Sequence, residues 1–378
     1  VDRGISVRVI SGDGGVFDER VETHLHPLFG SRDPRILAVK QELDQGLVSE
    51  AFIHLVGEIH ALLDPALSGC DVCVVHNAHT LHKNLALTAA LHRLRHPRLI
   101  AWCHDLAWTN PLYQAELHPA YPWTLLREAW PNTRYVTISE ARQVELAGLL
   151  RLPTGEITVV TAGIDAARFL QWTETTRFLE DRLHLLDADI ILLLPARLTR
   201  RKNIGLALRV LAALRQRDGL DDRLIVTGPP GPHNPANLGY LGELLELRQQ
   251  LGLVKSAHFL YEMADPQLVP DDLTMANLYQ LADALLFPSL QEGFGIPLLE
   301  AGLVGLPVFC SALPPFQQIG QSDVMTFQPN RDPPEQIAQL IQSYFADNPR
   351  QRLKNRVRRQ YRWDTIITRQ LIPLLESR

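Results

Sequence analysis

The chain has no apolar run approaching the roughly 20 residues that cross a bilayer, and no hydrophobic signal-peptide region at its start. The expected setting is therefore cytoplasmic, with no transmembrane segment. Cysteine is scarce, four in 378 residues, as a reducing compartment favours. Cys70 and Cys73 form a CxxC, but Cys73 lies in the apolar run Val72-Cys-Val-Val75, and no second CxxC exists to complete a zinc site. Both read as core thiols. Basic charge is not in excess. The 37 Lys and Arg stand against 42 Asp and Glu, and the net charge of −5 argues against nucleic acid as a partner. Repeats and low-complexity segments are also missing. What remains, 46% hydrophobic and 21% charged, is the composition of a globular protein, and the length suits two domains, each with its own core.

Apolar strand-like runs alternate with helix-length segments. One series covers Ser6–Ile10, Val72–Val75, Leu99–Trp102, Tyr135–Ile138 and Ile157–Val160. A second covers Ile190–Leu194, Leu224–Thr227, His258–Leu260, Ala284–Phe287 and Pro307–Cys310. Such alternation implies α/β architecture with parallel sheets. Two series imply two Rossmann-like domains with a cleft between them. The expected division is 1–170, 171–350 and a helical tail over 351–378 that packs back on the first domain. Asp2-Arg-Gly-Ile-Ser-Val-Arg-Val-Ile10 reads as a helix end, a glycine and a strand. A complete Rossmann domain begins one strand and one helix earlier, so the first βα unit is expected to be absent. The tail carries Arg350, Arg352, Lys354, Arg356, Arg358, Arg359 and Arg362 with no acid among them. That cluster reads as a solvated helix face, with a phosphate- or membrane-facing patch as the alternative.

The chemistry concentrates in Glu292-Gly-Phe-Gly-Ile-Pro-Leu-Leu-Glu300, directly after the strand Ala284–Phe287. Two carboxylates flank a glycine turn, and Pro297 suits the first turn of a helix. Backbone N–H groups and a helix N-terminus there favour an anion with a carboxylate on each side. A sugar nucleotide, a diphosphate between two polyols, is such a ligand. A basic pair, Arg197 and Lys202, follows the strand Ile190–Leu194. Ligands of open α/β sheets bind at strand carboxyl ends, where Arg forks phosphate oxygens and Lys supplies a point charge. Arg200 and Arg201 read as solvated loop charges. A glycosidase carboxylate pair would leave the basic pair without a task.

Arg197…Lys202 with Glu292 and Glu300 resembles the retaining glycosyltransferases of family four, which have the GT-B fold. Gly228-Pro-Pro after Leu224-Ile-Val-Thr227 is similar to the family's strand-end glycine turn, and Gly163-Ile-Asp165 with Phe169 to its N-G-I/V-D…F segment, here with Thr161-Ala162 in place of the polar step. The resemblance implies that Arg197 and Lys202 hold the donor diphosphate. It implies that Glu292 and the backbone of Gly293, Phe294 and Gly295 contact the donor sugar; the helix dipole near Ile296 would add charge stabilisation of its own. Glu300 would accept hydrogen bonds from the ribose diol. His104, after the strand Leu99–Trp102, matches a histidine that bonds the donor sugar near the reacting carbon. Asp105 is then a partner or a helix cap. Ser139 matches a serine near acceptor or phosphate, and helix capping alone also accounts for it.

His76-Asn-Ala-His-Thr-Leu-His82 spaces three histidines evenly, but no acid or cysteine completes a metal site. A loop lining the acceptor side fits better, with His76 and Asn77 as polar contacts. Asp187-Ala-Asp189 precedes its strand, contrary to a metal-binding DxD. Gly12-Asp-Gly-Gly15 reads as a turn. Trp102, Trp108, Tyr113, Tyr121, Trp123 and Trp130 crowd the region around His104, as core or as stacking surface for an acceptor. The expectation is a retaining, metal-independent hexosyltransferase that uses a nucleoside-diphosphate sugar as substrate and needs no other cofactor. Its acceptor would be a small molecule, a glycan or a lipid-linked sugar, with peripheral membrane contact as an option. Two rivals remain: a nucleotide-sugar-binding protein without transferase activity, and a GT-B sugar-nucleotide epimerase.

Overall fold

The computed structural model describes residues 1–231, 236–263 and 268–376. The chain forms two compact units, Val1–Ala162 with Ile366–Arg378, and Gly163–Thr365.

In the first unit the strands are β1 (Arg8–Ser11), β2 (Glu22–Leu25), β3 (Val72–His76), β4 (Arg98–Cys103), β5 (Thr133–Thr137) and β6 (Ile157–Val159). In the second they are β7 (Ile191–Leu194), β8 (Arg223–Val226), β9 (Ala257–Phe259), β10 (Ala284–Phe287), β11 (Val308–Ser311) and β12 (Met325–Phe327). All pair in parallel. Each parallel step requires a crossover, and helices supply most of them. The α/β class and the two Rossmann-like units read from the sequence are thus present. Two strands carried too little apolar pattern to be read from sequence: β2, Glu-Thr-His-Leu, and the three-residue β12.

The second unit holds one six-stranded sheet in the order β12-β11-β10-β7-β8-β9. β7, β10 and β11 are buried at every position, as central parallel strands covered on both faces must be. The chain runs outward from β7 through β8 and β9, then returns beside β7 as β10. The strand order therefore reverses between β7 and β10, the switch point where open sheets leave a crevice at their carboxyl ends.

The first unit holds two sheets, β1-β2 and β3-β4-β5-β6. No strand joins β1 to β3 among the described residues, and a cavity of about 1450 Å³ lies between them. β3 is apolar on both faces yet only half-buried, in contrast to its neighbour β4. Arg8 spans this region below the strands, donating from Nη1 to the carbonyls of Ala66 and Ser68. Gly12 ends β1 against the backbone of Gly30, so closely that a Cβ would stand 2.1 Å from the Gly30 nitrogen.

The division between units differs from the expected one in two places. Residues 163–170 belong to the second unit, where Ile164 donates its N–H to the Tyr361 carbonyl at 2.7 Å. Residues 351–365 also stay there, and only 366–378 joins the first unit. The cause is the basic helix Pro349–Gln360. Arg358 reaches the buried Asp283 at 3.0 Å and Lys354 reaches it at 2.9 Å. Arg359 pairs with Asp189, and Arg362, just beyond, with Asp187 and Glu180. The cluster is therefore no free solvated face or open anion patch: most of its charge meets acids from elsewhere in the unit.

Candidate functional site

In the second unit the sequence-predicted residues gather at the switch point. After β7 the chain turns through Pro195, Ala196 and Arg197 into the short turn Arg200–Lys202. After β10 it runs through Ser289 and Glu292 into the helix Ile296–Leu303. The two loops are joined by the Leu290 N–H donating to the Arg201 carbonyl at 2.7 Å.

A pocket of about 290 Å³ opens here, lined among others by Arg197, Thr227, Gly228, Met275, Ile296 and Glu300. Arg197 is exposed, and its guanidinium has no partner among the described residues. Gly228 must be glycine, because a Cβ there would lie 2.4 Å from the Ala196 carbonyl oxygen and 2.6 Å from the Arg197 nitrogen. That close approach holds the Arg197 loop in place. Gly295, at φ +117°, caps the helix Ile296–Leu303 without a side chain, and a Cβ would strike the Phe316 ring at 2.8 Å. The amides of that first turn therefore receive no side-chain cap, and Pro297 occupies the position that needs no N–H. Ile296 and Phe294 are exposed beside them.

Glu300 is oriented by a residue the sequence reading missed. Tyr279 donates its hydroxyl to Glu300 Oε2 at 2.5 Å. The Tyr279 phenol is raised far above the ordinary range, by burial first and then by that carboxylate. Tyr279 sits on the helix Asp272–Leu281, whose N-cap Asp271 accepts from the Thr274 N–H at 2.8 Å. In sequence it is one more apolar-face residue and carries no signal. Thr227 and Met275 were also missed; Thr227 stood in the strand run, where the glycine after it was the visible cue.

Lys202 and Glu292 do not line this pocket. They form an ion pair with each other. Lys202 is only 8% exposed, with its ammonium 4.6 Å from the centre of the Phe287 ring. Glu292 also accepts from the Ser289 hydroxyl at 2.9 Å and pairs with Arg201 at 3.0 Å. Burial works to raise the Glu292 carboxyl, but Lys202, Ser289 and Arg201 outweigh it and the net direction is down. Burial pushes the Lys202 ammonium down more than Glu292 pulls it up. Arg201 is thus not the free loop charge expected. Arg200 is a surface residue, paired with Glu243 and set over the Tyr240 ring. Gly293 is exposed between these groups.

In the first unit, β3 and β4 end side by side. His76 Nδ1 lies 3.2 Å from His104 Nε2. Burial, then the neighbouring His104, lowers the His76 imidazole. Asn77, at φ 60°, turns its Oδ1 to accept from the N–H groups of His104 at 2.8 Å and Asp105 at 3.2 Å. Its carbonyl oxygen therefore serves the loop. Asp105 leaves its carboxylate exposed. Ser139 caps the helix Glu140–Leu150, accepting from the Arg142 N–H at 3.3 Å.

The other histidines diverge. His79 is buried against Trp130, with ring centres 4.0 Å apart, and burial drives it down to about 3. His82 bonds Glu116 at 2.6 Å. Among the described residues no three potential ligands cluster as a metal site. Asp187 and Asp189 are spent on Arg362 and Arg359. Cys73 is raised to about 11 by burial, as a core thiol is. Trp102, Trp123 and Trp130 are buried, while Tyr121 is exposed and Trp108 carries Arg127 over its ring.

Comparison with known proteins shows what this geometry is similar to. Residues 177–360 match glycosyl transferases group 1. An uncharacterized glycosyltransferase of Methanocaldococcus jannaschii is 26% identical over 246 residues, 63% of this chain and 58% of that protein. A D-inositol 3-phosphate glycosyltransferase of Salinispora arenicola is 33% identical over 162 residues, 42% of this chain and 34% of that protein. A serotype-specific mannosyltransferase of Escherichia coli is 33% identical over 140 residues, 36% of this chain and 15% of that protein. The chain thus spans less than two thirds of the length of these relatives. The matched segment, residues 177–360, is the one that carries the switch-point pocket.

Proposed function

We propose that the chain is a retaining hexosyltransferase that takes a nucleoside-diphosphate sugar as donor. The observation that carries this reading is the switch-point pocket, where Arg197, which has no partner among the described residues, an uncapped helix N-terminus and Glu300 share one space. Arg197 suits the donor diphosphate, and the first-turn amides at Ile296 add partial positive charge beside it. Glu300, oriented by Tyr279, has the acceptor sites for both hydroxyls of a ribose diol. Glu292, with Gly293, Phe294 and Gly295, is proposed for the donor sugar. Lys202 keeps Glu292 ionised and adds charge for the leaving phosphate. His104 is proposed to bond the sugar near the reacting carbon, and Asp105 and Ser139 remain candidates on the acceptor side. The relatives named for inositol phosphate and mannosyl transfer support a sugar-transfer reading.

In this mechanism the acceptor hydroxyl attacks from the face the nucleotide leaves. Its proton passes to the departing phosphate oxygen, so no protein nucleophile is needed. Catalysis rests on stabilising the charge that develops on that phosphate. Excess chelator is expected to leave turnover undiminished.

The test is a screen of nucleoside-diphosphate sugars for hydrolysis and transfer by mass spectrometry, with titration calorimetry alongside. Lys202→Ala should lose roughly 10²-fold in turnover, as an anion-stabilising group does. Full turnover in that variant would defeat the assigned role. Binding without turnover by any donor would favour the second reading, a nucleotide-sugar-binding protein, which the divided sheet of the first unit supports. Product formed from donor with no acceptor present would point to an epimerase.

A further inference from the structure

Two histidine rings from different strands meet at the ends of β3 and β4, and only His104 has a role in the reading above. His76 Nδ1 and His104 Nε2 are 3.2 Å apart. Both rings lie against Trp102: His76 is stacked at 5.3 Å and 24°, and His104 is 14° from parallel at 6.3 Å. The backbone beneath them is held as well. Asn77 takes a left-handed φ of 60°, donates its N–H to the Trp102 carbonyl at 2.9 Å, and accepts from the amides of His104 and Asp105. Thr80 closes the far side, its hydroxyl donating to the Asp105 carbonyl at 2.7 Å.

We propose that His76 is a positioning residue for His104: it occupies His104 Nε2, selects one tautomer of that ring, and leaves Nδ1 alone to face the substrate. The inference rests on the sugar-bonding role of His104. Its chemistry is that of any imidazole pair. A nitrogen-to-nitrogen hydrogen bond needs one N–H and one lone pair, so a single proton lies between the rings. The proton states of His104 Nε2 and His76 Nδ1 are therefore opposite and coupled, and the state of His104 Nδ1 follows, because a neutral imidazole has one donor and one acceptor. The same bond, with Trp102 behind both rings, restrains the ring's rotation. A substrate therefore meets one orientation and one hydrogen-bonding polarity.

The test has a spectroscopic arm that does not depend on turnover. Nitrogen-15 correlation spectra of the histidine rings in the unliganded protein should show His104 as one tautomer. In His76→Phe, which keeps a flat ring against Trp102, His104 should become a mixture of tautomers. His76→Asn places an amide where Nδ1 stood and should restore a single form. In a transfer assay His76→Phe should lower kcat by about 10-fold, within the roughly 10²-fold that a 1 Å misplacement costs. The donor KM should change less than kcat, and His76→Asn should recover most of the loss. A tautomeric mixture in the wild-type protein, or an unchanged single tautomer in His76→Phe, overturns the proposal even if the chain proves to be a transferase. A tautomer shift in a protein that transfers no sugar keeps the positioning and discards the proposed function. Should His76→Phe fail to fold, His76→Leu, which likewise offers no hydrogen bond, takes its place and should show the same mixture.

Discussion

At Glu292 a buried lysine, a half-exposed arginine and a serine hydroxyl converge on one carboxylate. These partners outweigh burial and hold the group below the ordinary carboxylate range. A depressed folded value means that the pair's contribution to stability is full above the unfolded value, about 4.3, and is lost as pH falls through the folded one. Glu292→Gln is therefore expected to melt below wild type at neutral pH, with the gap narrowing as pH drops under about 4. Thermal melts across pH check this; a gap that stays constant would show the pair contributes nothing through charge. The sequence exposed Glu292, Lys202, Glu300 and Arg197 because charged residues at strand ends stand out from apolar runs. It could not show that Lys202 and Glu292, 90 residues apart, hold each other, or that Arg201 joins them. Tyr279 stayed hidden for the opposite reason, since its helix position is that of a core residue.

Among the elements, the helix Pro349–Gln360 carries the clearest long-range chemistry. Its Arg358 and Lys354 neutralise Asp283, which is 2% exposed just before β10 and accepts from the Ile191 N–H at 2.8 Å. Lys354 also donates to the last carbonyls of the helix Asp272–Leu281, where a cation complements the dipole. Removing one member of a buried pair leaves the other charge uncompensated. Arg358→Met is thus expected to cost about 3–5 kcal/mol of unfolding free energy, read from the urea midpoint. A shift near zero would mean that Lys354 alone satisfies Asp283. The strands were mostly legible from apolar runs, and β2 and β12 were not, the first being polar and the second only three residues long. The basic helix was legible as a helix. The acids that meet it and Arg362 just beyond, Asp189, Asp283, Asp187 and Glu180, came from other parts of the chain and could not be assigned from its own sequence.

On the scale of the molecule, each unit has its own sheet system. The second is one continuous sheet; the first is divided, with the apolar strand β3 open along one edge beside the large cavity. An open edge leaves backbone groups without ladder partners. Amides of β1 and β3 are expected to exchange with deuterium faster than those of β4 and the buried β7 and β10, measured residue by residue. Equal protection of β3 and β4 would contradict the open edge.

The sequence by itself determined the α/β class, nearly all strands, the two-unit plan and the charged residues at the strand ends of the second unit, because periodicity and strand-end punctuation are local properties. The tertiary structure alone decided which of those residues share a pocket and which are spent on one another. Arg197 has no partner among the described residues, Lys202 is committed to Glu292, and the basic tail helix is neutralised by distant acids. The reason is physical: a charge acquires its role from the partner that desolvates with it, and that partner is set by strand order.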